Sequence, residues 1–403
     1  MNIWHFCPSP VDVSREQGGV ANVVRALAME HAASGISTTI ICGDHELGRK
    51  SQEIGITKPM PQLRIQTVAQ RANPALGPVA ELRRIIDGMP DDGIAHVHTC
   101  FSAFTDVAML SLRRRKIPLV FSPHGKLSAA MLKKRALTKW LWWQLLSKTN
   151  VAKADCIGLF AETEKEEMRS LGLATPSAII QNGYAAPSSD AWKHDKPLID
   201  GEYIIYLGYL DPRKQPDLLI RAFAKTEISK RIRLVLVGPD GYGFGETLRQ
   251  EAKRLGVEDR VVFYGPAYGI DKWNLLTNAA CLCLPSLAEG MPLVLAEALG
   301  AGTPSLFSAA CNAGAIAKAG AGTEIPDNTE DAWTNAINAA FSDPMHLSSM
   351  RNAAENARKD FSWHGIATRW TEVYRQLHAQ KASSEKALLP INRKGSFQLR
   401  RVD

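Results

Sequence analysis

No apolar run in the chain approaches the ~18 uninterrupted residues of a membrane-spanning helix. The opening Met1-Asn2-Ile3-Trp4-His5-Phe6 has no basic region, and its apolar run is too short for a secretory signal. A cytoplasmic protein is expected, with contact at the inner face of the cell membrane left open. The seven cysteines are odd in number and scattered, which argues against a disulfide framework and for a reducing compartment. Cys281 and Cys283 share one face of an apolar strand, but no second pair lies nearby. They read as buried thiols rather than zinc ligands. No Asp-x-Asp occurs anywhere, so the usual paired-carboxylate grip on a divalent ion is missing. No short-period repeat is evident.

What is present suits a globular protein of two domains. The chain has 403 residues, 45% hydrophobic and 22% charged, enough for two cores of ordinary composition. Strand-length apolar runs alternate with helical stretches: Ile3–Phe6, Thr38–Cys42, Arg64–Thr67, Ala95–His98, Leu119–Ser122, Cys156–Phe160 and Ala178–Ile180, with helices such as Val20–Ala33, Phe104–Arg114, Ser128–Lys148 and Glu162–Leu171 between them. After Asn182-Gly183 and a polar stretch from Pro187 to Gly201 the alternation resumes, with Tyr203–Leu207, Leu234–Val237, Val261–Tyr264, Cys281–Pro285 and Pro304–Phe307 as strands. Such alternation predicts right-handed crossovers and parallel sheets covered on both faces. The expected domains are 1–190 and 191–362, then a helix over 363–380 returning to the first domain and a basic, disordered tail over 381–403.

The most informative segment runs from Pro285 to Leu299. An apolar strand ends, a loop carries Glu289 and Gly290, and Pro292 prepares a helix. The free N–H groups of that helix start attract phosphate. Glu289 before the helix and Glu297 within it can accept hydrogen bonds from sugar hydroxyls at either end of an extended ligand. Solvated or capping glutamates would account for the same spacing.

Glu289-Gly290-Met291-Pro292 through Glu297 resembles the E-x7-E motif of the family 4 retaining glycosyltransferases. Other segments resemble family motifs in the same order. They are Gln17-Gly18-Gly19-Val20, His96-Val97-His98, Ser122-Pro123-His124-Gly125, Ile180-Gln181-Asn182-Gly183, Tyr206-Leu207-Gly208 through Lys214, Leu234–Gly241 and Val262–Pro266. The resemblance implies the GT-B architecture: α/β, with two Rossmann-like doubly wound domains facing a central cleft. It implies a retaining hexosyltransferase using a nucleotide-diphosphate sugar. Glu297 would hold the ribose, Glu289 the transferred sugar and Lys214 the diphosphate, with His124 beside the reacting sugar as a catalytic residue. Gly18, Gly19, Gly208, Arg213, Tyr264, Gly290, Met291, Leu293 and Val294 would complete the donor site, and no metal or cofactor is expected. Tyr209 departs from the family, which usually carries Arg after that glycine; Arg213 is the candidate substitute. Glu162, Glu164 and Glu166 read as caps at a helix start. The glycine-rich loop after Asp240 has the wrong spacing for a dinucleotide site.

From Val107 to Ala154 the sequence holds eleven basic residues and no acid. That local +11 against a whole-chain +7 leaves the remainder at −4. Lys133, Lys134, Arg135, Trp140 and Trp143, with His98, form the expected acceptor or membrane face. Basic residues with interfacial tryptophans suit an anionic leaflet and a glycan or polyprenyl-diphosphate-linked acceptor, as in bacterial-type polysaccharide synthesis. No nucleic-acid recognition motif accompanies the positive charge. A nucleotide-sugar epimerase or phosphorylase on this scaffold, or a non-catalytic subunit, are the alternative readings.

Overall fold

A computed structural model describes residues 1–12, 19–44, 54–69, 79–133, 136–187, 196–241 and 243–384. The chain divides into two compact units, Met1–Ile180 with the chain from Trp363 onward, and Gln181–Ser362. The division falls ahead of the boundary expected at 190. Asn182 already belongs to the second unit, where its side chain donates to the Met291 carbonyl at 2.7 Å.

The first unit carries β1 (Asn2–Cys7), β2 (Thr38–Asp44), β3 (Ile54–Met60), β4 (Leu63–Ala69), β5 (Gly93–His98), β6 (Leu119–Ser122), β7 (Cys156–Leu159) and β8 (Ser177–Ile179). They lie in the order β3-β4-β2-β1-β5-β6-β7-β8. All adjacent pairs are parallel except the β3–β4 hairpin, which the sequence reading lacks. β5, β6 and β7 are buried along their whole length, as expected for strands covered on both faces. The strand order reverses between β1 and β5, where helix crossovers part to opposite faces. The helix Trp363–Ser384 belongs here, with Ile366, Trp370 and Tyr374 buried. It runs past the expected end at 380; residues 385–403 lie outside the described residues.

The single helix expected over Ser128–Lys148 is replaced by shorter pieces: Ala129–Lys133, Ala136–Trp142, a π-helical turn Trp143–Ser147, and Lys148–Ala152. A π turn rotates the side chains that follow it, so one apolar stripe does not persist through the stretch. Among the described residues no helix is long and apolar enough to cross a membrane.

The second unit holds β9 (Tyr203–Leu207), β10 (Arg233–Val237), β11 (Val261–Gly265), β12 (Cys281–Leu284), β13 (Ser305–Ser308) and β14 (Gly322–Ile325). Their order, β11-β10-β9-β12-β13-β14, is the Rossmann order with its reversal between β9 and β12. The helix Gly269–Asn278 and strand β14 were not anticipated from the sequence. All seven cysteines are buried and none is in a disulfide. Burial pushes the Cys311 thiol up to about 12, so it is an inert core group.

Candidate functional site

Each sheet presents chemistry at its switch point. In the second unit the loops leaving β9, β10 and β11 are laced together by backbone bonds: Gly208 N–H to the Val237 carbonyl (2.9 Å) and Gly238 N–H to the Gly265 carbonyl (2.8 Å). Gly238 has φ +146°, and a Cβ there would stand 1.9 Å from the Gly208 oxygen. Only glycine permits this approach. The lacing keeps Gly208 and the end of β11, where Tyr264 is half-buried, in fixed relation.

Beyond β9, Asp211 caps the 3-10 turn Pro212–Lys214 by accepting from the Arg213 N–H at 2.9 Å. Its carboxylate also holds the Arg213 guanidinium, with Nε 3.0 Å away, and that contact keeps the Asp211 carboxyl below its usual range. Arg213 is thus committed to Asp211. Gln215 then takes the left-handed conformation (φ 51°) and starts the helix Pro216–Lys225. This turn aims Lys214 at Glu289, with Nζ 2.5 Å from Oε1. Tyr209 is exposed, and its carbonyl accepts from the buried Tyr206 hydroxyl at 2.6 Å. Burial and the Glu289 charge push the Tyr206 pKa up, which keeps it a donor.

The loop after β12 is anchored from several sides. Leu287 N–H donates to the Arg213 carbonyl (2.9 Å), Glu289 N–H to Ala310 (3.1 Å), and Asn312 Nδ2 to the Glu289 carbonyl (3.0 Å). Met291 is buried, with its sulfur accepting from the Asn182 N–H at 3.1 Å. Pro292 stands at the cap, one position ahead of the Leu293–Ala301 helix. The N–H groups of Leu293 and Val294 have no acceptor among the described residues. Further along, Glu297 meets Lys272 of the Gly269–Asn278 helix, 2.8 Å from Nζ to Oε1. Both side chains are mostly buried, 8% and 12% exposed. Lys272 escaped sequence reading because its helix did. The signal was a lysine beside Trp273 in the pattern Gly-Ile-Asp-Lys-Trp-Asn-Leu-Leu. The site therefore pairs two acids with two lysines around one helix start. Such a set binds an extended anion bearing hydroxyls without carrying net charge of its own. The Asp240 carboxylate accepts from the N–H groups of Phe244 (2.8 Å) and Gly245 (3.0 Å), capping the next helix.

In the first unit the switch point is lined by imidazoles. His5 on β1 and His96 on β5 are register partners, and His98 lies two residues on, so all three share one face. His124 follows β6 at φ 52° and is partly exposed. Thr99 (66°) and Phe101 (57°) are also left-handed, so unfavourable backbone clusters at the ends of β5 and β6. The Thr99 hydroxyl is buried without a partner. His98 is fully buried and bonded at 2.9 Å to His124, so it reaches a ligand only through His124 rather than facing one as expected. Burial, with Lys126 adding to it, brings His124 down to about 3 and keeps it neutral. Gly19, with φ 60° and open space at its Cβ, starts the helix Gly19–Ala33; Gly18 lies outside the described residues.

The basic stretch is divided by packing. Trp140, Leu137, Leu141, Leu145 and Leu146 are exposed. Trp143, expected beside Trp140 on the outer face, is instead buried in the core with Phe104, Met109 and Val151. Asp106 holds the segment down, accepting from Trp142 Nε1 (2.8 Å) and the Ser147 hydroxyl (3.1 Å). The Lys133 side chain, Lys134 and Arg135 lie outside the described residues. Glu164 caps its helix by reaching back to the Phe160 N–H, and burial raises it to about 7. A cavity of about 520 Å³ in the first unit is lined by Asn2, Thr38, Lys58 and Arg84. It opens at the amino ends of β1 and β2, away from the carboxyl ends where open α/β sheets bind ligands.

Two doubly wound units of this order, with a helix start flanked by acids and reached by a lysine, define a glycosyltransferase of the GT-B class. Solved structures share the fold. Sucrose-phosphate synthase from Thermosynechococcus elongatus aligns with a TM-score of 0.71 at 21% identity, covering 94% of this chain and 100% of that one. Anabaena HepE in complex with UDP-glucose aligns at 0.67 and 17% identity, covering 95% and 99%. The model described as Glycosyltransferase Family 4 matches residues 17–185, and Glycosyl transferases group 1 matches 189–360. The chain belongs to the family 4 glycosyltransferases. Curated relatives include D-inositol 3-phosphate glycosyltransferases of Kineococcus radiotolerans (27% identity, 72% of this chain and 73% of that one) and Rhodococcus erythropolis (23%, 99% and 96%).

Proposed function

We propose that the enzyme is a retaining hexosyltransferase that takes its sugar from a nucleotide diphosphate. The observation that carries this reading is the Lys214–Glu289 pair at the open start of the Leu293–Ala301 helix. The diphosphate lies against the helix N–H groups, and Lys214 turns from Glu289 to the leaving phosphate as negative charge develops. Glu289 then accepts from sugar hydroxyls and Glu297 from the ribose. Neither acts as nucleophile. The acceptor attacks from the leaving-group face and a donor phosphate oxygen takes its proton, so the protein mainly positions and stabilises charge. Protein cations and backbone donors supply the electrostatics, and the route uses no metal or cofactor. HepE and the trehalose-6-phosphate enzyme, seen with UDP-glucose and UDP-2-fluoroglucose, make uridine the first base to try.

The deciding experiment is a thermal-shift panel of UDP-, GDP-, ADP- and TDP-sugars, followed by NMR of the product anomer. A ligand at a hundredfold its Kd stabilises by about 2.7 kcal/mol. No shift with any donor, or an inverted anomer, overturns the assignment.

For the acceptor, the exposed Leu137, Trp140 and Leu145 within a basic stretch favour a lipid-linked glycan at the inner membrane face, in bacterial-type polysaccharide synthesis. Sedimentation with anionic vesicles that is unchanged by Trp140→Ser with Leu145→Ser removes that acceptor. D-inositol 3-phosphate, named for the relatives, is the soluble acceptor to compare.

A further inference from the structure

Four of the first unit's imidazoles form one continuous chain. His124 Nε2 is 2.9 Å from His98 Nδ1, His98 Nε2 is 3.0 Å from His5 Nδ1, and His5 Nε2 is 3.4 Å from His31 Nδ1. The chain ends where His31 Nε2 lies 3.3 Å from the Ala367 carbonyl oxygen. A carbonyl only accepts, and a neutral imidazole has one N–H and one lone pair. His31 must therefore carry its proton on Nε2 and accept on Nδ1. That makes His5 an Nε2 donor, which makes His98 an Nε2 donor, which makes His124 an Nε2 donor. The last lone pair falls on His124 Nδ1, which has no partner among the described residues. We infer that the Ala367 carbonyl, acting through His31, His5 and His98, fixes the tautomer of His124 and presents its Nδ1 as a hydrogen-bond acceptor for a ligand hydroxyl.

His31, His5 and His98 are positioning residues in this scheme. Burial holds each in the neutral form the chain requires, bringing His31 down to about 4 and His5 and His98 well below the ordinary value. His96 stands outside the chain. It stacks on His98 at 4.0 Å and bonds the Tyr374 hydroxyl (2.6 Å) and the Ser122 hydroxyl (2.8 Å), which donate or accept equally and impose no direction. Nitrogens of His5, His96 and His98 lie within 4.8 Å of one another, a spacing that could gather a metal ion. Yet both nitrogens of each ring already sit in hydrogen bonds, so none offers a free lone pair. The consequence for catalysis rests on the transferase reading: the hydroxyl facing His124 donates, and a ligand bearing only an acceptor at that place is refused.

The test is long-range 1H–15N NMR of the whole protein labelled in its histidines, without substrate, with His124 assigned by His124→Ala. His124 is expected as a single tautomer with a bare Nδ1. His31→Leu removes the directing acceptor, so the tautomer ratio at His124 falls at least about fivefold, the worth of one hydrogen bond. His31→Gln restores it, since its amide oxygen accepts from His5 while its NH2 donates to Ala367. A proton on His124 Nδ1 in the wild type overturns the inference even if His31→Leu fails to fold, as does a ratio unmoved in a folded His31→Leu. Nitrogen shifts in the wild type that move on adding zinc or nickel also overturn it, showing a metal centre instead. Because the readout needs no sugar, it stands apart from the donor panel.

Discussion

Replacing Lys272 by methionine isolates the least expected feature of the donor-side unit. The Lys272–Glu297 ion pair sits 2.8 Å apart with both side chains mostly buried. At an effective dielectric of about 20, that separation gives roughly 6 kcal/mol of gross attraction. Desolvation of both charges offsets much of it, so the pair itself adds little net stability. The single substitution is costly for another reason: it leaves the Glu297 carboxylate buried without its cation, a loss of about 3–5 kcal/mol. For a unit of this size, 3 kcal/mol lowers the melting temperature by roughly 6–12 °C. Pairing Lys272→Met with Glu297→Gln should recover most of that, because no charge is then stranded. The assay is a double-mutant cycle in urea, with the same four proteins titrated with UDP-glucose. Lys272→Met should raise KM far more than it lowers kcat, as the proposed ribose contact of Glu297 requires of the lysine that positions it. A single variant melting within a degree or two of wild type, or a double variant no better than the single, refutes the claim that Lys272 compensates the buried Glu297 carboxylate.

Lys214→Met is expected to lower kcat by about 10²–10³-fold, the cost of one donor to a developing anion. Its melting temperature should fall as well, because Lys214 is only a quarter exposed and its loss leaves the mostly buried Glu289 carboxylate without its cation; initial-rate kinetics beside a thermal melt check both. Acid should destabilise the first unit. His31, neutral down to about 4 in the fold but protonating near 6.5 when unfolded, contributes stability above pH 6.5 that is lost as pH falls toward 4. The loss is about 3 kcal/mol, and His31→Gln should flatten that part of a urea-midpoint profile. Glu164 acts oppositely: raised to about 7, its contribution is present below pH 4.5 and disappears as pH rises through 7, so Glu164→Gln should stabilise at pH 8. Gly238→Ala should cost at least about 3 kcal/mol and show in the same melts, since it combines an unfavourable φ with a Cβ 1.9 Å from a carbonyl oxygen.

The strands at both switch points were legible because full burial writes them as continuous apolar runs, and glycine, proline and acid at their ends mark the turns that follow. Lys214 and Glu289, 75 residues apart in sequence, meet because each follows a strand on one side of the reversal between β9 and β12. Lys272 was not legible, since a short helix with a mixed face hides its one inward cation among ordinary solvated lysines. Trp143 was misplaced for a related reason. Composition puts three tryptophans within one basic stretch, but the π turn and the Asp106 anchor decide which of them faces inward. The histidine chain was visible only as scattered single residues; two sheet strands, a loop and two helices bring it together.

The two switch points solve opposite electrostatic problems on the same strand order. In the second unit the proposed donor is anionic, and both mostly buried acids of the site, Glu289 and Glu297, are matched by a lysine. These four side chains together are near neutrality, and the proposed diphosphate would meet cations that are already in place. In the first unit the groups at the strand ends are imidazoles that burial keeps uncharged, so orientation rather than charge is what the fold can supply.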